Sequence, residues 1–129
     1  MRATPPTAAV LLTGDELLQG RVRDTNGPFL SASLIQAGLS VRRSLVAADD
    51  PAEIAGALRW LLAAAPRLIV VSGGLGTTHD DVTMATVAEV LGRPLIRHED
   101  AWRRVRKRVR EVAARHHLDA AELESQAAR

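Results

Sequence analysis

Cysteine and tyrosine are missing from these 129 residues, phenylalanine occurs once and tryptophan twice. The lack of thiols excludes disulfides, thiolate nucleophiles, zinc ribbons and iron–sulfur ligation, and makes a reducing cytoplasm the expected compartment. Long apolar runs are missing too. The longest, Trp60 to Ala65, falls far short of the roughly 18 to 20 residues that cross a bilayer, so no membrane partner is expected. Near the start, Ala8 to Leu12 leads into Gly14, Asp15 and Glu16 rather than into a small-residue cleavage site, which argues against a secretion signal. Lysine occurs once beside sixteen arginines. Almost nothing titrates between neutrality and the guanidinium range, so a net charge of only +2 yields a pI near 10.3, and that pI is no mark of nucleic-acid binding. The positive charge is local. Residues 1 to 100 carry nine basic and eleven acidic side chains, net −2, whereas residues 101 to 129 carry eight basic and four acidic, net +4.

What is present is an ordinary globular composition, 47% apolar and 25% charged. The length suits one domain over residues 1–129, with a core over 7–96 and a helical segment over 98–129. Thr7 to Thr13, TAAVLLT, predicts a strand covered on both faces. Asp24 is placed to cap a helix of about four turns, with Leu30, Leu34 and Ile35 near one face and Gly38 as a left-handed stop. Leu39 to Ala47, interrupted by Arg42 and Arg43, has the pattern of an edge or half-exposed strand. Asp50 with Glu53 has capping-box spacing and Pro51 takes the first helical position, so a helix follows with Ile54, Leu58, Leu61 and Leu62 as its stripe. Arg67 to Ser72 reads as a second fully buried strand that breaks at Gly73 and Gly74, and a helix over 82–91 closes at Gly92 and Pro94. Alternation of strands and helices predicts parallel β-α-β units with right-handed crossovers. The fold class is therefore α/β, a three-layer α/β/α sandwich with a mostly parallel sheet. Beyond Ile96 only helices are expected, over 99–114 and 118–128. Three strands are thin for this architecture, so the sheet is expected to be incomplete or to carry an irregular edge.

Ligands of open α/β sheets bind beyond the carboxyl ends of the strands. Here each predicted strand ends in an acidic pair: Asp15 and Glu16, Asp49 and Asp50, and Asp80 and Asp81. Three such pairs on one rim would repel one another unless a cation sits among them, and a hard divalent metal, Mg²⁺ before others, meets that need. For Asp50 a helix cap explains the residue equally well. The loop Ser72-Gly73-Gly74-Leu75-Gly76-Thr77-Thr78 supplies the complementary half: glycines let backbone N–H groups approach an anion, and the threonine hydroxyls add donors. It lacks the third glycine of the dinucleotide fingerprint and the Gly-Lys-Ser/Thr ending of the ATPase loop.

The runs Gly14-Asp15-Glu16-Leu17-Leu18-x-Gly20, Asp24-Thr25-Asn26, Ser72-Gly73-Gly74-Leu75-Gly76-x-Thr78-x-Asp80-Asp81-x-Thr83 and Gly92-Arg93-Pro94-Leu95 together resemble the molybdopterin-binding-like domain of the CinA family, related to the MoaB and MogA proteins. The likeness spans residues 8 to 96 in order. It implies a MoaB/MogA-like fold that binds a phosphorylated pterin or nucleotide. In CinA-type proteins it implies metal-dependent pyrophosphatase activity on ADP-ribose-like dinucleotides; in MogA relatives, adenylylation of molybdopterin with ATP and Mg²⁺. A non-catalytic binding or interaction fragment is the third reading. Carried over by motif position, the resemblance makes Asp49 and Asp81 catalytic, and Asp80 with Asp81 the metal ligands. Gly14, Asp15, Glu16, Asn26, Ser72, Gly73, Gly74, Gly76, Thr77, Thr78 and Thr83 fall on the substrate. It also makes molybdopterin a candidate ligand and a homodimer or trimer the expected assembly. Thr77 stands where the family places Pro. The family domain also continues into further strands and a second ligand loop that do not follow here, so a truncated domain is expected.

The basic run Arg103, Arg104, Arg106, Lys107, Arg108 and Arg110 invites a nucleic-acid reading. Trp102, Val105, Val109 and Val112 mark the other face of the same helix, so a solvated face explains the charges, and one aromatic leaves base stacking little to work with. His116 and His117 are adjacent and point to different sides of a helix, which disfavours a shared metal. His79 is expected to be a loop residue.

Overall fold

The computed structural model describes residues 4–74 and 82–127. β1 (Thr7–Thr13) is followed by a one-turn helix α1 (Asp15–Leu18), α2 (Asn26–Gln36), β2 (Ser40–Ala47), α3 (Pro51–Leu62), β3 (Leu68–Ser72), α4 (Thr83–Val90), α5 (Glu99–His116) and α6 (Ala120–Ala127). The three strands form one parallel sheet in the order β2-β1-β3, in register from Thr7 with Ser40 and from Ala8 with Leu68. The expected α/β class with parallel strands is what the chain adopts.

β1 is central because its residues are apolar on both sides, and Ala8 to Leu12 have almost no exposed surface. Ala9 and Leu11 face Ile54, Leu58 and Leu61 of α3, with Val87 and Val90 of α4 packed alongside. Ala8, Val10 and Leu12 face Leu34 of α2 on the opposite side. The crossover from β1 to β2 thus runs over one face and that from β2 to β3 over the other, giving three layers.

Local chemistry accounts for the helix ends. The Asp50 carboxylate accepts from the N–H groups of Ala52 and Glu53 at 2.9 and 3.0 Å, as its spacing predicts. Asp24 accepts from Gly27 N–H at 2.8 Å, but α2 begins at Asn26 and has 11 residues, three turns rather than four. Gly38 follows it with φ +85°.

Three other expectations are corrected. β3 is half-exposed, not fully buried, because it forms the other edge of the described sheet and leaves Leu68 40% accessible. Ile35 points to solvent, since the short α2 buries only Gly27 and Leu34. Leu62 lies at the margin of the α3 stripe and is likewise exposed.

α5 and α6 form a hairpin packed on each other. α5 runs two residues beyond its predicted end and stops at His117, which is left-handed with φ 53°. α6 starts at Ala120 rather than 118, where the Asp119 carboxylate accepts from Ala121 N–H at 2.8 Å. No helix among the described residues is long and apolar enough to cross a membrane.

Candidate functional site

In the order β2-β1-β3 the strands all run parallel, but the strand order reverses between β1 and β3, with crossover helices leaving to opposite faces. A crevice at the carboxyl ends is the geometric result of such a switch. A cleft of about 150 Å³ opens there, lined by Thr13, Glu16, Arg23, Asn26, Ser72 and Gly73 among others. Asn26, at the start of α2, donates from Nδ2 to Ser72 Oγ at 3.3 Å and joins the two sides of the cleft.

The turn after β3 is built by close approach. A Cβ at Gly73, where φ is +109°, would lie 2.1 Å from the carbonyl oxygen of Thr13. A Cβ at Gly74, where φ is +54°, would lie 2.2 Å from Thr83 Oγ1. Only glycine fits either place, because main chain and a buried hydroxyl occupy the space a side chain would need. Thr13 and Thr83 share a buried hydrogen bond between their hydroxyls at 3.0 Å. Thr83 has no exposed surface and braces the bend from below. Its neighbour Val82 caps α4 without a side-chain hydrogen bond among the described residues, which leaves the first N–H groups of that helix free of a side-chain cap.

The acidic rim is organised by bonding rather than by simple repulsion. Asp15 N–H donates to Asp49 Oδ2 at 3.2 Å, and Asp49 N–H donates to Asp15 Oδ1 at 3.1 Å. Gly14 N–H donates to the Ala47 carbonyl at 3.1 Å beside them, so the pair closes the end of the β1–β2 ladder. One oxygen of each carboxylate is used in this way, and the other has no hydrogen bond among the described residues. Asp50 is turned away into its cap, which takes it out of the rim. Glu16 borders the cleft on the β1 side.

Of the expected site residues, Gly14, Asp15, Glu16, Asn26, Asp49, Ser72, Gly73 and Gly74 therefore collect at this end of the sheet. Gly76, Thr77, Thr78, Asp80 and Asp81, with His79, lie outside the described residues. Among the described residues no three His, Asp or Glu side chains are grouped as a metal site. Thr13 and Arg23 were not singled out by sequence; a polar residue ending a fully apolar strand just before glycine is the signal that points to Thr13.

The basic face of α5 is largely paired. Glu124 of α6 receives Arg106 Nε at 3.1 Å and Arg110 Nε, while Arg108 meets Glu111 and Arg103 meets Asp100. The hydrogen bond from Arg110 holds the Glu124 carboxyl below its ordinary pKa against the desolvation that raises it, with the hydrogen bond and charge of Arg106 adding to the lowering. His116 and His117 are exposed, as expected.

Comparison with known proteins follows the same outline. A CinA-like protein of Anaeromyxobacter dehalogenans is 48% identical over 101 residues, which are 78% of this chain and 24% of that protein. The crystal structure of the protein CinA, of unknown function, from Thermoplasma acidophilum superposes with a TM-score of 0.73 at 39% identity, over 81% of this chain and 61% of that one. The molybdopterin biosynthesis Mog protein of Mycobacterium ulcerans gives a TM-score of 0.59 at 28% identity, over 67% and 54%. The chain thus spans about a quarter of that curated relative. With the model of the probable molybdopterin binding domain matching residues 9–126, the chain belongs to that family and is similar within it to CinA-like proteins.

Proposed function

We propose that this chain binds a phosphoanhydride ligand in the crevice between β1 and β3 and hydrolyses it with Mg²⁺, as a pyrophosphatase on ADP-ribose-like dinucleotides. The observation that carries the reading is that the Gly73-Gly74 bend after β3 and the crossed Asp15–Asp49 pair closing the β1–β2 ladder both lie at the carboxyl end of the sheet. Backbone N–H groups of the bend, joined by Gly76, Thr77 and Thr78, would cradle phosphate oxygens at the start of α4. Asp80 and Asp81 would hold Mg²⁺, which supplies neutralisation of the charge that develops on the anhydride. Asp49 would take the proton of the attacking water on the oxygen that has no hydrogen bond among the described residues, while Asp15 N–H, donating to its Oδ2, fixes its orientation. Water oxygen bonds to one phosphorus, the bridging P–O bond breaks, and AMP and ribose phosphate leave.

A second reading, adenylyl transfer to molybdopterin, draws on the Mog likeness and on the family description. It needs the same cradle, so substrates separate the two. In calorimetry and product analysis with Mg²⁺, ADP-ribose should bind and release AMP, and ATP with molybdopterin should yield no adenylylated pterin. Asp49→Asn retains an acceptor for Asp15 N–H, so binding should persist while turnover falls about 100-fold or more. Absence of ADP-ribose binding to a folded sample, or unchanged turnover in Asp49→Asn, would refute the hydrolase reading. Light scattering of the same sample tests the dimer or trimer that the resemblance implies, and a cytoplasmic site of action belongs to this proposal as well.

A further inference from the structure

A second cavity, of about 360 Å³, lies at the opposite, amino-terminal end of the strands. Ala8 and Ala9 of β1 form its floor, Arg42 and Arg43 of β2 line one side, and Ala64 and Pro66 line the other. Its lining on β1 reaches Ala9 and that of the crevice at the carboxyl end begins at Leu12, so roughly 10 Å of strand separates the two.

The arginines are brought here by an irregularity in the ladder. Ala8 pairs with Val41 but Ala9 pairs with Arg43, so Arg42 is an extra residue on β2 with no partner opposite it. Strict alternation would send two consecutive side chains to opposite faces; a bulge re-aims one of them and leaves backbone polar groups unpaired. Arg43 is already held in place. Its guanidinium lies 4.0 Å from the Trp60 ring centroid, and Nη1 donates to the Trp60 carbonyl at 3.0 Å. Arg42 makes no hydrogen bond or ion pair among the described residues, and no carboxylate lines the cavity. Charged residues on an edge strand also discourage strand addition, but that task needs neither a bulge nor an arginine stacked on tryptophan beside a small-residue floor.

We propose that this cavity binds a small organic oxyanion, a phosphate monoester or a carboxylate, with Arg42 and Arg43 as its charged contacts. Planar guanidinium forks match both oxyanions, and the alanine and proline surface accommodates a short carbon body. This inference is independent of the proposed hydrolase activity.

Arg43 on Trp60 provides a local reporter. In the full chain carrying Trp102→Phe, Trp60 is the remaining tryptophan. Titration with glycerol 3-phosphate and with succinate should change its emission saturably for at least one of them, and the responding ligand identifies the oxyanion class. Arg42→Ala, at an exposed position without partners among the described residues, should fold normally by circular dichroism and weaken the response about tenfold. Arg43→Lys should weaken it as well, because charge is retained but the planar fork is lost. Calorimetry on the unsubstituted chain should show the same dependence on Arg42. No saturable signal from either ligand with a folded sample would overturn the proposal, and so would an Arg42→Ala chain that binds like the parent.

Discussion

Leu61 on α3 and Val105 on α5 both belong to apolar stripes at helical spacing, yet Leu61 has no exposed surface and Val105 keeps 43% of its own. The first stripe lies against a sheet; the second packs on a short partner helix. The strand core is therefore held by burial of apolar area on both faces of β1, while the α5–α6 hairpin relies on Ala113, a partly covered stripe and Glu124 between two arginines. Burial is worth about 25 cal/mol per Å², whereas exposed ion pairs contribute about 0 to 1 kcal/mol each. The amphipathic pattern shows that a helix has an apolar face. It says nothing of how completely that face is covered.

The sharpest way to break this contrast is a single methyl in the strand region. Gly73→Ala should lower stability by about 4 kcal/mol in chemical denaturation, from strain at positive φ and overlap with the Thr13 carbonyl. A loss below about 1 kcal/mol would mean the bend relaxes easily. Next, Leu61→Ala should cost about 3 kcal/mol by leaving a cavity, and Val105→Ala under about 1 kcal/mol. Equal costs would show that the hairpin is as well packed as the core. The smallest effect concerns pH. The folded-state pKa of Glu124 is depressed, so its contribution to the hairpin is complete above the ordinary glutamate value of about 4.3 and is lost as pH falls through the lowered value. Helical signal from α5 and α6 should thus decline in acid before the strand core unfolds, and Glu124→Gln should remove that early step. A Glu124→Gln chain with the same acid profile as the parent would assign the step elsewhere.

Much of the fold was legible because its signals are local. Thr7–Thr13 is apolar without a break, and the Asp50-Pro51-x-Glu53 start of α3 is written in adjacent residues. Burial of β3 was not legible, since it depends on which strands flank it, and strand order is a non-local fact. The end of α2 nearest Ile35 failed for a related reason: the helix is shorter than its apolar residues suggest. At the candidate site, the gathering of acids and glycines at one end followed from strand polarity. The crossed bonds of Asp15 and Asp49 did not, because 34 residues separate the partners. Arg42 was noted only as an interruption of a strand pattern; the bulge that gives it a role is set by pairing with β1.

That crossed pair also limits what side-chain removal can reveal. Truncating either aspartate to alanine would strip one loop of its acceptor and deprive the neighbouring loop of its anchor, so a lost activity could come equally from missing chemistry or from a slackened sheet end. At positions 15 and 49, charge and architecture separate only when the replacement keeps an oxygen where the amide expects one.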